Sequence, residues 1–404
     1  VHPTPAGKRA SKVVILLLAL AAASAVVLVG GRLVSAGSDP VRAASSVPVP
    51  VGPTGAEGSH PDDHDHHSTA TASGRWSDPA IWGDHPPHPG TEVVIPDGVT
   101  VTLDTETPAL TTLHVAGSLA ADPDAPVVVV TAGGIMVMGG EFAIGREGEP
   151  FAGSATVTLT GGVTNEMCGE KFLCVMDGGV LDLHGVSADK VSWGQLAATA
   201  PPGSTQLTLD QPIDWVPGDQ IVVAPSGFDG AEAEQRTVTA VDGATVTVDQ
   251  PLLFEHVGQM GSIAGTPIDL RAEVGLLTRN IVIQGDEASQ TGSADYPVGT
   301  GGHLMMMADT TARVSGVELR RMGQTGGQGR YPFHFHLAGD GTGEYVRNSS
   351  IHHSFHRGIV THGVNGVLVA DNVAFDVLSH LYVPSEDGTE WGNRYERNLG
   401  VMMR

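Results

Sequence analysis

From Thr91 onward, apolar residues alternate with polar ones in runs of only about four to six, each closed by a tight-turn signal. In "TEVVIPDGVTVTLDTETPALTTLHVAGSLAAD" three such runs are broken at Asp-Gly, Thr-Pro and Ala-Gly. Alternation of period two predicts half-buried strands, and the Gly, Pro and Asx punctuation predicts corners. The same grammar continues through "APVVVVTAGGIMVMGGEFAIG" and "GGVLDLHG". Many short strands separated by single corners predict an all-β chain coiled as a parallel β-helix.

Two regions depart from this rhythm. Residues 203–258 carry longer alternating runs and an Asp-Gly hairpin at "VDGATV", which predicts a small antiparallel β insert. The C-terminal part, 259–404, carries an internal repeat: "VRNSSIHHSFH" from Val346 aligns with "ADNVAFDVLSH" from Ala370 at an offset of 24. That offset lays Asn348 on Asn372, Ile351 on Phe375, His352 on Asp376 and His356 on His380. It fits one coil of a β-helix, with Asn at the left-handed corner.

The first 36 residues have another pattern. Lys8, Arg9 and Lys12 precede an uncharged apolar run, Val13–Gly30, followed by Arg32 and a small-residue site at Val34–Ala36. This predicts an N-terminal transmembrane or signal helix, an uncleaved anchor or a cleaved signal, and places the rest outside the cytoplasm at the cell surface or beyond it. Residues 37–73, rich in Pro, Ser, Ala and His, read as a disordered linker containing "HPDDHDHH".

Charge sharpens the picture. The chain has 404 residues and a net charge of −24, yet residues 303–404 hold 10 acidic and 9 basic residues together with 8 of the 18 histidines. An acidic chain excludes nucleic acid as a partner, and its C-terminal quarter tolerates an anionic ligand best. Cys168 and Cys174, six apart, either close a disulfide or lie as buried thiols; an oxidising compartment favours the disulfide.

In "YPFHFHLAGD" strand alternation sends Phe333, Phe335 and Leu337 inward and His334 and His336 outward. The offset of 24 continues that outward column through His352, His356, Asp376 and His380 to Glu386 and Asp387. Arg347 and Arg357 lie on the same rungs and can neutralise an anionic sugar. Four chemistries fit: a His-X-His pair with a third ligand can bind a transition metal, and Asp340, Asp376, Glu386 and Asp387 can hold Ca²⁺. Two carboxyl groups can hydrolyse a glycoside, and a His beside an Arg can start β-elimination.

"GRWSDPAIWGDHPPHPGTEVVIPDGVTVTLDTETPALTTLHVAGSL" resembles the start of a G8 domain, which would occupy residues 74–202. "DWVPGDQIVV", "RYPFHFHLAGD", "VRNSSIHHSFHRGIVTHGVNGVLVADNVAFD" and "EDGTE" resemble, in the same order, the family of the cell-migration-inducing hyaluronan-binding protein and cell-surface hyaluronidase. The Ala, Gly and Val excess marks a bacterial-type relative. The resemblance implies an extracellular right-handed parallel β-helix of pectin-lyase type. It also implies an anionic, hyaluronan-like polysaccharide that is bound or depolymerised, with calcium as the favoured cation.

By position, His334, His336, Asp340, His352, His353, Arg357, His362, Asp376, His380, Glu386 and Asp387 match family motif residues. We therefore expect catalysis from His334, His336, Asp340, His352, His380, Glu386 and Asp387. Substrate contacts are expected from Arg347, Arg357, His353, His356 and His362, and a cation on Asp376, Glu386 and Asp387. Family members read Gly-His and then Tyr-Phe-Leu-Glu-Asp-Gly where this chain has "SHLYVPSEDG", so Pro384 and one added residue bear on the register of Glu386 and Asp387. Relatives also continue beyond the last coil, which makes the chain either a short version or a fragment.

Overall fold

In the computed structural model, residues 66–404 are described. The N-terminal apolar run, its cleavage site and most of the linker lie outside them. Among the described residues, no helix is long and apolar enough to cross a membrane.

Three parallel faces build the coil, and each face is a ladder of stacked strands. On the first face Leu113, Ile135, Leu173, Leu304, Phe333 and Ile359 lie in register, one per rung. All six are fully buried. Burying each such side chain contributes about 1.5–3 kcal/mol, so the interior column is the main source of stability. The last rungs of this face are His303–Met306, Phe333–Asp340, Ile359–Asn365 and Tyr382–Val383.

The second face runs through Thr311–Ser315, Tyr345–Arg347, Leu368–Ala370 and Arg394–Glu396. The third runs through Val317–Arg320, Ser350–Ser354, Val373–Val377 and Leu399–Met403. The long strand Val127–Met138 joins the third face to the first. It turns the corner at Gly133 and Gly134, where an added Cβ would meet the Gly161 carbonyl at 2.2 Å and the Phe172 ring at 2.4 Å.

The early and late strands form one continuous stack. Val180 pairs with Thr311, and Phe172 pairs with His303, across the insert. The insert itself is larger than 203–258: its six-stranded antiparallel sheet starts at Trp193–Gln195 and ends at Glu273–Leu276. Its edges were hidden because "WGQ" and "EVGL" are as short as coil strands. The hairpin at "VDGATV" is present, between Glu234–Asp242 and Thr245–Val248. Val222, Ala224 and Leu277 pack the insert onto Val373, Phe375, Leu399 and Val401 of the third face.

Three further expectations are corrected. The coil begins at His67–Thr69, paired with Glu92–Val94, so the linker ends earlier than residue 73. Ser68 and Ala70 fill the interior there; such small side chains leave no hydrophobic signature. The repeat is 23 residues, not 24: Val346 stacks on Val369 and Ile351 on Ala374. The left-handed corner is Asn348, Asp371 and Arg397, while Asn372 belongs to an inner ladder with Ser349 and Asn398. Finally, Leu337 is 53% exposed and left-handed, and Ala338 takes the interior place. A register shift between His336 and Gly339 causes the exchange.

Candidate functional site

Strand alternation and a parallel ladder bring three histidines together on the first face. His334 and His336 are two apart on one strand, and His362 lies directly opposite His336 on the next. One ligand atom from each of the three lies within 4.8 Å of the others. Beneath His334, the outward column continues through Met305 and Cys174. The three imidazoles floor an open cleft of about 380 Å³, walled by Met167, Met305, Met307, Arg330, Tyr331 and Glu386.

His334 is 1% exposed, and its Nδ1 lies 3.0 Å from the Gly329 carbonyl. A carbonyl only accepts, so Nδ1 carries the proton and Nε2 presents a lone pair to the cleft. That Nε2 has no hydrogen-bond partner. Burial, then the neighbouring His336, pushes the pKa of His334 down to about 3, which keeps the ring neutral. The Nδ1 atoms of His336 and His362 face each other at 3.2 Å.

Glu386 closes one side. Its Oε2 lies 3.7 Å from His334 Nε2 and 3.8 Å from His362 Nδ1. Its Oε1 accepts from the Tyr331 hydroxyl (2.8 Å) and from Arg357. Pro384 ends the short strand Tyr382–Val383, and the Glu386 N–H then returns to bond the Thr361 carbonyl at 3.1 Å. Asp387 reaches His362 Nε2 at 3.5 Å. His356 lies behind, its ring 4.8 Å from that of Tyr331.

Arg330 supplies an unbalanced charge. Its guanidinium donates to the Met167 and Cys168 carbonyls and forms no ion pair with a carboxylate among the described residues. Cys168 and Cys174 form a disulfide, and those carbonyls lie at the entry to its loop. Gly169 makes the approach possible, since a Cβ there would meet Arg330 Nη2 at 2.6 Å.

The other residues singled out in the sequence lie elsewhere. His352 and His353 are on the third face, in the strand Ser350–Ser354, where His352 pairs with Phe375. His352 Nε2 bonds Glu318 at 3.2 Å, and its Nδ1 lies 2.8 Å from that of His353. Asp376 is paired with Arg404 and lies 3.9 Å from His353. Asp340 is exposed and receives Thr342 N–H at 3.0 Å, while exposed His380 contacts Ser379 Oγ at 3.0 Å. Arg347 sits on the second face beside Glu147 at 3.0 Å.

The single outward column therefore divides between faces. The carboxylates Asp340 and Asp376 do not converge with Glu386 and Asp387 around one cation. What does converge is nitrogen, with Glu386 beside it and Asp387 against the far nitrogen of His362. Tyr331, Arg330 and the methionines were missed by sequence reasoning; the run "RYPFHFH" was the available signal for the first two. Hollows of about 620 and 530 Å³ lie elsewhere, but Lys190 and Arg397 on their walls are already paired with Asp219 and Asp371.

Residues 81–197 match the G8 domain and residues 299–404 match the CEMIP beta-helix. The chain is 34% identical over 371 residues to human Fibrocystin-L, covering 81% of this chain and 9% of that protein. It is 42% identical over 213 residues to the human cell surface hyaluronidase CEMIP2, covering 48% of this chain and 15% of that one. The chain thus spans only a small part of either relative. Among solved structures, the tailspike protein gp49 from Pseudomonas phage LKA1 overlaps 73% of this chain and 50% of that one, at 14% identity and a TM-score of 0.21. So low an overlap adds no argument.

Proposed function

We propose, for a chain that carries a G8 domain and a CEMIP beta-helix, that it binds and depolymerises a uronate-containing polysaccharide outside the cytoplasm, at the His334 cleft. Arg330 carries the reading. A partly buried guanidinium without a carboxylate partner, in a chain of net charge −24, is matched by a ligand that brings its own anion. An open cleft on a strand face accommodates an extended polymer, and Trp391, 73% exposed on the loop after Asp387, offers an aromatic surface for a sugar ring. His336 and His362 face the cleft beside Arg330, which is placed to hold the uronate. The human relative's name, a cell surface hyaluronidase, makes hyaluronan the first polymer to try.

The test is a panel of hyaluronan, chondroitin, alginate, pectin and a neutral glucan. Chain length, reducing ends and unsaturated-uronate absorbance are followed together. The expected result is shortening of at least one anionic polymer and none of the glucan. Arg330→Ala should weaken binding roughly ten- to a hundredfold, the size of a charge-assisted contact. Binding and chain length unchanged across the panel would overturn the reading. New ends with the absorbance mean elimination; new ends without it mean hydrolysis.

A further inference from the structure

We propose that His334, His336 and His362 hold one divalent transition-metal ion of the imidazole-preferring class, Zn²⁺, with Glu386 as the fourth donor. Four observations meet there. First, His334 has its tautomer fixed by the Gly329 carbonyl at 3.0 Å, the arrangement in which the far nitrogen of a histidine is free to ligate. Second, that far nitrogen is buried and has no hydrogen-bond partner. An orphaned buried acceptor is destabilising by about 1–3 kcal/mol, which a bound cation would offset.

Third, the Nδ1 atoms of His336 and His362 oppose each other at 3.2 Å. Two neutral imidazoles in that geometry share one proton, and a cation in its place satisfies both lone pairs. Fourth, Glu386 Oε2 stands 3.7 Å from one ring and 3.8 Å from another, close enough for small side-chain rotations to complete the set. Its other oxygen is braced by Tyr331 and Arg357.

The donor chemistry selects the ion. Calcium takes six to eight oxygens, whereas three nitrogens and one carboxylate suit a tetrahedral zinc site. The ladder fixes the two histidine-bearing strands against each other, which is the rigid support a metal site needs.

The cleft is the one in the glycan reading, but the inference stands without it, because the experiment contains no polysaccharide. The full chain is purified without chelator, with His60, His64, His66 and His67 replaced by Ser so that this N-terminal histidine tract does not report. Metal is counted by plasma mass spectrometry, and cobalt is then exchanged in to read its visible absorption. We expect about one zinc per chain and the intense bands of four-coordinate cobalt. H336Q and H362Q, both at half-buried positions, should each weaken binding at least tenfold; E386Q should alter the cobalt spectrum, and H380Q should change nothing.

Folding of each variant is checked by its thermal transition, so loss of metal is separated from loss of structure. Zinc well below one per chain after incubation with excess metal would overturn the proposal. So would calcium as the bound ion, or binding indifferent to H336Q and H362Q.

Discussion

Glu344 shows how a single buried group sets a pH response. It is 4% exposed, and its Oε2 accepts the Ala312 N–H at 2.8 Å. Burial, with the Asp340 charge adding to it, pushes its carboxyl up to about 7, against 4.5 in a solvated chain. Between those values the folded state holds a proton that the unfolded state has lost. Stability is therefore present at low pH and is lost as pH rises through about 7. Glu344→Gln keeps an acceptor for Ala312 without the charge. It should raise stability at pH 8 by roughly 1–3 kcal/mol and leave it unchanged near pH 4, as read by urea unfolding at both pH values. An equal gain at both would refute the assignment.

At the scale of elements, packing between the insert and the coil rests on a missing side chain. A Cβ on Gly275 would come within 2.8 Å of Val373 Cγ1 and 2.9 Å of Leu399 Cδ2. Gly275→Ala should destabilise by about 1–3 kcal/mol through overpacking, visible as a lowered midpoint in urea unfolding. The same scale explains what the sequence disclosed. "FHFH" revealed its faces because Phe333 and Phe335 obey a period of two. Leu337 looked like the next interior residue and was not, since a left-handed residue in a strand leaves no mark in composition. The repeat was visible, but its register was misread: like residues were laid on like, whereas the true partners are Asn348 with Asp371 and Ser349 with Asn372. One residue of slip set His352 opposite Asp376 instead of Phe375.

For the whole molecule, one buried and one half-buried histidine outside the cleft predict the acid limit. His303 is fully buried and pushed down to about 3, and His353 is pushed down to about 4, both mainly by burial. An unfolded histidine binds its proton near 6.5. Below that value the unfolded chain takes up protons that the folded chain refuses, so stability is lost as pH falls from about 6.5. The urea midpoint should drop between pH 7 and pH 5, and less steeply in H353Q. A flat midpoint over that range would contradict it. The insert also shapes how the molecule comes together. Asp182 and Arg313, on adjoining rungs, are 131 residues apart in the chain. Closing so long a loop carries an entropic cost. Because Trp193 pairs with Gly275 inside the insert, most of that separation can be bridged by a sheet that forms on its own contacts. The insert thus acts as a clasp: it hands the chain back beside the point where it left, so that the rungs on either side stack directly.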